Sequence, residues 1–136
     1  LVGCEFAIDK AMEGFDVTIV ESASDILSAG ATGTSTTIMV AQMIPDLMEE
    51  YNVKLITDHR IVEVNDEGAV IEPAAGGKQI TVPADNVVLS IGMRAVPNFA
   101  DELKGSGIEA FVIGDAHMPG NVYSSVQSAY AVAKNL

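Results

Sequence analysis

Apolar positions follow helical spacing in two stretches of the chain and change to a period of two after residue 52, which marks where helices give way to strands. Between Cys4 and Glu13 the apolar residues are Cys4, Ala7, Ile8, Ala11 and Met12, with Glu5, Asp9 and Glu13 four apart on the other side, so an amphipathic helix is predicted. Gly14 supplies its stop, because the residue past a helix often takes a left-handed conformation that costs glycine little. Val17-Thr18-Ile19-Val20 is short, β-branched and mostly apolar, the pattern of a strand buried in a parallel sheet, and Glu21 ends it. Ser22 to Thr37 has no periodic face and predicts a loop. From Ile38 the residues Val40, Met43, Ile44, Leu47, Met48 and Tyr51 return to helical spacing. Pro45 lacks an N–H for the residue four back, so a kink or restart is expected there. Asn52 closes the segment.

From Val53 the pattern is that of strands. Val53, Leu55 and Ile56 predict one, and Ile61, Val62 and Val64 another. The turn Asn65-Asp66-Glu67-Gly68 leads to Ala69-Val70-Ile71, and Ala74-Ala75-Gly76-Gly77 leads to Ile80-Thr81-Val82. Both turns are rich in residues that tolerate positive φ, and the whole reads as an antiparallel meander with solvated acids. Val87 to Gly92 is a further short buried strand ending in glycine. A boundary is placed near Gly92, after which Met93 to Asn98 reads as a loop. Ala110-Phe111-Val112-Ile113 predicts a strand running into Gly114-Asp115. A final helix from Asn121 to about Asn135 carries Val122, Val126, Ala129, Tyr130 and Ala133 with almost no charge, so it is expected to be largely buried.

The formal net charge of −12 opposes nucleic acid or an anionic membrane as partner, since both need positive protein surface. No apolar run approaches the roughly 20 residues that span a bilayer. The lone Cys4 excludes a disulfide or a C-x-x-C pair within these residues, and its place on an apolar helix face predicts a packed, inert thiol. His59 and His117 have no neighbours at ligand spacing. Both are read as loop residues, and no metal site is expected.

Gly3, the helix after it, the strand and Glu21 form the later part of a dinucleotide fingerprint, in which G-x-G-x-x-G follows a strand and opens a helix. Gly3 stands at the third glycine, where the absence of a side chain lets helix and sheet approach. Glu21 lies eighteen residues further on, where an acid accepts from the ribose hydroxyls of adenosine and repels a 2′-phosphate, so NADH is favoured over NADPH. The first strand and the first two glycines are absent from the pattern, and a packing glycine with a solvated strand end is the alternative reading. The Ser22 to Thr37 loop leaves on the nucleotide side and serves either as a cofactor contact or as a plain surface connection.

Gly3-x-Glu5, Val17 to Glu21, Ala84-Asp85-Asn86-Val87-Val88-Leu89-Ser90-Ile91-Gly92, Arg94 with Pro97-Asn98, and Val112-Ile113-Gly114-Asp115 resemble, in this order, the C-terminal module of the pyridine nucleotide-disulfide oxidoreductase superfamily. Asp25-Ile26-Leu27-Ser28-Ala29-Gly30 and the helix start at Pro119-Gly120 look like the NADH-dependent flavin oxidoreductases related to 2-enoate reductase, 2,4-dienoyl-CoA reductase and trimethylamine dehydrogenase. The resemblance implies an α/β, Rossmann-like, three-layer FAD/NAD(P)-binding fold with an antiparallel β-meander and with the first strand absent from the chain. Residues 1–92 would be the NAD(H)-binding domain without that strand, and residues 93–136 the returning segment of the FAD-binding domain.

By the same resemblance Gly3 and Glu21 serve NADH, Gly92 and Gly114 belong to the cofactor-binding set, and Asp115 bonds the ribityl or phosphate region of FAD. It implies a cytoplasmic enzyme passing hydride from NADH to FAD, with FMN and an iron–sulfur cluster in parts of the parent protein outside these residues, where an activated alkene is reduced. No residue here is a convincing acid, base or nucleophile, and none is assigned as catalytic. Ala116 stands where many relatives have cysteine, and Ala95-Val96 lengthens the usual Arg-Pro-Asn loop. The alternatives are a fragment of a single-flavin disulfide reductase or NADH oxidase, and a non-catalytic nucleotide-binding module. A sheet without its first strand would be filled either by Ala110 to Ile113 or by a strand from a second copy, which makes a homo-oligomer an expectation.

Overall fold

A computed structural model of the chain describes residues 1–26, 35–96 and 99–136. These form two compact units, Leu1–Ser90 and Ile91–Leu136.

In the first unit, helix α1 spans Val2–Met12 and buries Cys4, Ala7 and Ile8. Its end is a Schellman motif: Gly14 takes φ +94°, the Phe15 N–H donates to the Lys10 carbonyl, and the Gly14 N–H donates to that of Ala11. Strand β1 (Thr18–Val20) follows, then helix α2 (Ser35–Glu50) and strand β2 (Lys54–Ile56). Helix α2 ends as α1 does. Asn52 sits at φ +56°, its N–H donates to the Glu49 carbonyl, and the Val53 N–H donates to that of Met48. Met48 and Val53 are both buried, so the apolar contact that accompanies this motif is part of the core.

β1 and β2 pair in parallel, Thr18 opposite Lys54 and Val20 opposite Ile56. The two helices and this pair enclose one core of Cys4, Ala7, Ile8, Ile44, Met48 and Val53, with Val17, Ile19, Leu47 and Tyr51 packed around it. Strands β3 (His59–Asn65), β4 (Gly68–Pro73) and β5 (Ile80–Pro83) make a separate antiparallel sheet with β4 in the centre. β4 is its buried strand, and Ile71 is wholly enclosed. A bulge between Ile61 and Glu63 shifts the β3–β4 register by one residue.

The second unit has short 3-10 turns at Phe99–Asp101 and Gly114–Ala116 and one helix, α3 (Val122–Ala133). Asn121 caps α3 through a capping box: its side chain accepts from the Ser124 N–H, and the Ser124 hydroxyl accepts from the Asn121 N–H.

Several expectations are corrected. β2 belongs to the parallel pair and not to the meander. α2 runs through Pro45 as one helix, with no restart. Met12, expected on the buried face of α1, is exposed. His59 is the first residue of β3 rather than a loop residue. Val87 to Ile91 and Ala110 to Ile113 are not strands, because a strand is defined by its ladder and neither segment has a partner among the described residues. Val88, Leu89 and Ile91 are accordingly exposed. α3 buries none of its residues, and Val122, Tyr123, Val126 and Tyr130 are each more than half exposed, because its apolar stripe has nothing packed over it among the described residues. Ser35 to Thr37, expected as the end of the loop, are the first residues of α2. Leu27 to Gly30, part of the Asp25 to Gly30 resemblance, the loop residues Ala31 to Thr34, and Pro97-Asn98 lie outside the described residues.

Candidate functional site

Gly3 and Glu21 are the sequence-predicted residues of the first unit. Gly3 is in the first turn of α1. A Cβ built on it would lie 2.8 Å from the Ser90 Cβ and 2.9 Å from the Ser90 hydroxyl, closer than real Cβ atoms approach. The glycine is therefore required where α1 meets the extended segment ending at Ser90. Leu1 is the N-cap of α1 and its side chain makes no cap bond; a helix N-terminus in general favours an anion.

Glu21 is half-buried at the C-terminal end of β1. Its backbone continues the parallel ladder: the Glu21 N–H donates to the Ile56 carbonyl at 2.9 Å, and the His59 N–H donates to the Glu21 carbonyl at 3.0 Å. Its carboxylate is held by one oxygen. Oε1 accepts from the Ala23 N–H at 2.8 Å and from the Ser22 hydroxyl at 3.0 Å. Oε2 has no such bond among the described residues, which suits an acceptor for a ribose hydroxyl.

Burial pushes the Cys4 thiol up; the N-terminal ammonium opposes this, and the charges of Glu21 and Glu5 add to it. Two consequences follow. Cys4 is a packed neutral thiol and not a nucleophile. The Glu21 carboxylate is near enough to Cys4, in the first turn of α1, for its charge to add to the rise.

In the second unit Gly114 has φ +58°, and its N–H donates to the Ser128 hydroxyl at 3.0 Å, which ties the 3-10 turn to α3. Asp115 is exposed, and its Oδ1 accepts from the Gly120 N–H at 3.1 Å just before the Asn121 cap. This places a carboxylate beside the start of α3. Gly92 has φ +81° and open space around its Cα, so it is a backbone swivel without a contact of its own. His117 follows the 3-10 turn, and its N–H donates to the Gly114 carbonyl. No group of three His, Cys, Asp or Glu residues at metal-binding distance exists among the described residues. No helix among them is long and apolar enough to cross a membrane.

Sequence reasoning missed Ser22, Ala23, Asp58 and Ser90. Ser90 was legible only as part of a strand motif. Asp58 gave one weak signal, an aspartate between two apolar-patterned strands, where a left-handed residue is tolerated.

The residue types suit an adenine dinucleotide: an acid with one oxygen unbonded among the described residues ends β1, and a glycine begins α1. The family model described as pyridine nucleotide-disulphide oxidoreductase matches residues 1–132. The chain is similar to a cinnamate reductase of Clostridium sporogenes, 32% identical over all of this chain and 20% of the reductase. It is also similar to an NADH oxidase of Thermoanaerobacter brockii, 34% identical over 98% of this chain and 20% of the oxidase. A solved 2-naphthoyl-CoA reductase, in complex with 2-naphthoyl-CoA, superposes with a TM-score of 0.73 at 30% identity, over 98% of this chain and 19% of that one. The chain thus spans about a fifth of the length of these relatives. With matched residues running through both units, the chain belongs to the pyridine nucleotide-disulphide oxidoreductase family.

Proposed function

We propose that this chain is the dinucleotide-binding part of an NADH-dependent flavin oxidoreductase of the 2-enoate reductase type, with residues 1–92 serving NADH and residues 93–136 serving FAD. The observation that carries the reading is the Glu21 carboxylate at the end of β1, fixed through Oε1 by the Ala23 N–H and the Ser22 hydroxyl and open at Oε2 among the described residues. The redox chemistry is supplied by the bound groups, nicotinamide giving a hydride and flavin accepting it. The chain's own residues bind and orient. Glu21 accepts from the ribose diol and repels a 2′-phosphate, Gly3 lets the helix start approach the diphosphate, and Asp115 beside the start of α3 accepts from the flavin's polyol.

The cinnamate reductase and 2-naphthoyl-CoA reductase relatives support a conjugated, carbonyl-activated substrate. We take its reduction to occur at an FMN and iron–sulfur site outside these residues, in a cytoplasmic enzyme. The NADH oxidase relative supports a second reading in which the electrons go to dioxygen.

The test is anaerobic titration of the intact flavoprotein. NADH bleaches the flavin with a clear preference over NADPH, and Glu21→Ala weakens NADH binding roughly ten-fold or more while narrowing that preference. A flavin untouched by NADH, or a Glu21→Ala protein that still discriminates as before, refutes the reading.

A further inference from the structure

We propose that Asp58, in the turn between β2 and β3, is the positioning residue that holds the Glu21 carboxylate in its ribose-accepting pose. The proposal rests on the reading of Glu21 given above and extends it to a residue outside the fingerprint.

Asp58 adopts the left-handed conformation, φ +54°, and is one of only two non-glycine residues with positive φ among those described. This conformation does two things. It directs the Asp58 N–H to the Ala23 carbonyl at 3.0 Å, and it turns the Asp58 carbonyl to accept from the Ala74 N–H at 2.7 Å. Ala23 is the residue whose N–H donates to Glu21 Oε1. A continuous chain of bonds thus runs from Ala74, at the end of β4, through the Asp58 and Ala23 peptides to the carboxylate.

The turn is braced on both sides. The His59 ring donates from Nδ1 to the Thr57 carbonyl at 2.7 Å, and the His59 N–H holds the Glu21 carbonyl. Without the Asp58 bond, the Ala23 peptide would lose its only backbone anchor among the described residues, and Oε1 would be left to the exposed Ser22 hydroxyl. The carboxylate would then sample several rotamers, and the ribose would have to order it on binding. The Asp58 side chain is exposed, so the role belongs to the backbone. Aspartate suits the position because its short polar side chain tolerates the left-handed region that β-branched residues avoid.

The test compares Asp58→Gly, Asp58→Asn and Asp58→Val in the intact protein, with Glu21→Ala alongside. NADH and NADPH affinities are measured by titration, and Ala23 amide protection by hydrogen exchange. Asp58→Val is expected to weaken NADH binding roughly five- to ten-fold, narrow the NADH preference and expose the Ala23 amide. Asp58→Gly and Asp58→Asn, which keep the conformation available, should bind as wild type. Should Asp58→Val fail to fold, Asp58→Ala takes its place.

Wild-type affinity and preference in the Asp58→Val protein, with Glu21→Ala impaired, overturns the positioning role alone. Equal impairment in all three Asp58 variants also overturns it, because the side-chain carboxylate would then be what matters. Unchanged discrimination in Glu21→Ala removes the ribose reading itself, and the proposal with it.

Discussion

Gly3→Ala tests the packing half of the fingerprint. The added methyl would lie 2.8 Å from the Ser90 Cβ, an atom fixed to the backbone that no rotamer change can move. The segment ending at Ser90 must therefore retreat from α1, and overpacking of this kind costs about 1–3 kcal/mol. Alanine in a helix recovers up to ~1 kcal/mol over glycine, less in a first turn, so the net loss should be about 1–2 kcal/mol. In a unit of this size that lowers the thermal midpoint by roughly 4–16 °C. The diagnostic comparison is a double-mutant cycle with Ser90→Gly, read by denaturant titration. Once the Ser90 side chain is gone, the Gly3→Ala cost should vanish or change sign, leaving only the helix gain. A Gly3→Ala protein as stable as wild type, or a cost that persists unchanged with Ser90→Gly, would refute the close approach.

Other outcomes follow from the meander. Gly68 has φ +133°, and a Cβ there would overlap the Val82 carbonyl oxygen and press on the Ala84 amide, both backbone atoms, so Gly68→Ala should destabilise by about 3 kcal/mol or more in denaturant titration. The Arg60 guanidinium, which donates to Glu72 Oε1 from Nε at 3.0 Å and Nη2 at 2.6 Å, holds the Glu72 carboxyl below its usual range, and Gln79 adds to the effect. Because the folded-state pKa is lowered, the stabilisation is present above the unfolded carboxylate range and is lost as pH falls through the folded value. Glu72→Gln should therefore be slightly less stable than wild type at pH 7, with the gap closing below about pH 4, and an equal gap at both ends would contradict the ion pair.

What the sequence disclosed depended on whether the interaction was local. The ends of α1 and α2 were legible because Gly14 and Asn52 carry the left-handed residues of their Schellman motifs within the same few positions. The meander was legible because each turn lies between the strands it joins. Gly3 and Glu21 were legible as a packing glycine at the start of α1 and as the acid that ends β1. What failed was partnership at a distance. Alternation cannot tell a parallel-paired β2 from a meander strand, and the apolar runs at Val87 to Ile91 and Ala110 to Ile113 say nothing about whether a ladder is present. The apolar stripe of α3 was read as burial, but a stripe specifies only a preference, and burial needs a covering element. The Asp58 bond to Ala23 links residues thirty-five apart and leaves no periodic trace.

The separation of the two sheets also bears on how the chain acquires its shape. β3, β4 and β5 are joined by connections of a few residues, so their hairpins close at little entropic cost and form on the microsecond scale. The β1–β2 pair cannot register until the whole of α2 has been laid between Val20 and Lys54. On these grounds the meander would close ahead of the parallel pair, and its Asp58 end would then be in place to receive the Ala23 carbonyl and, through the His59 N–H, that of Glu21.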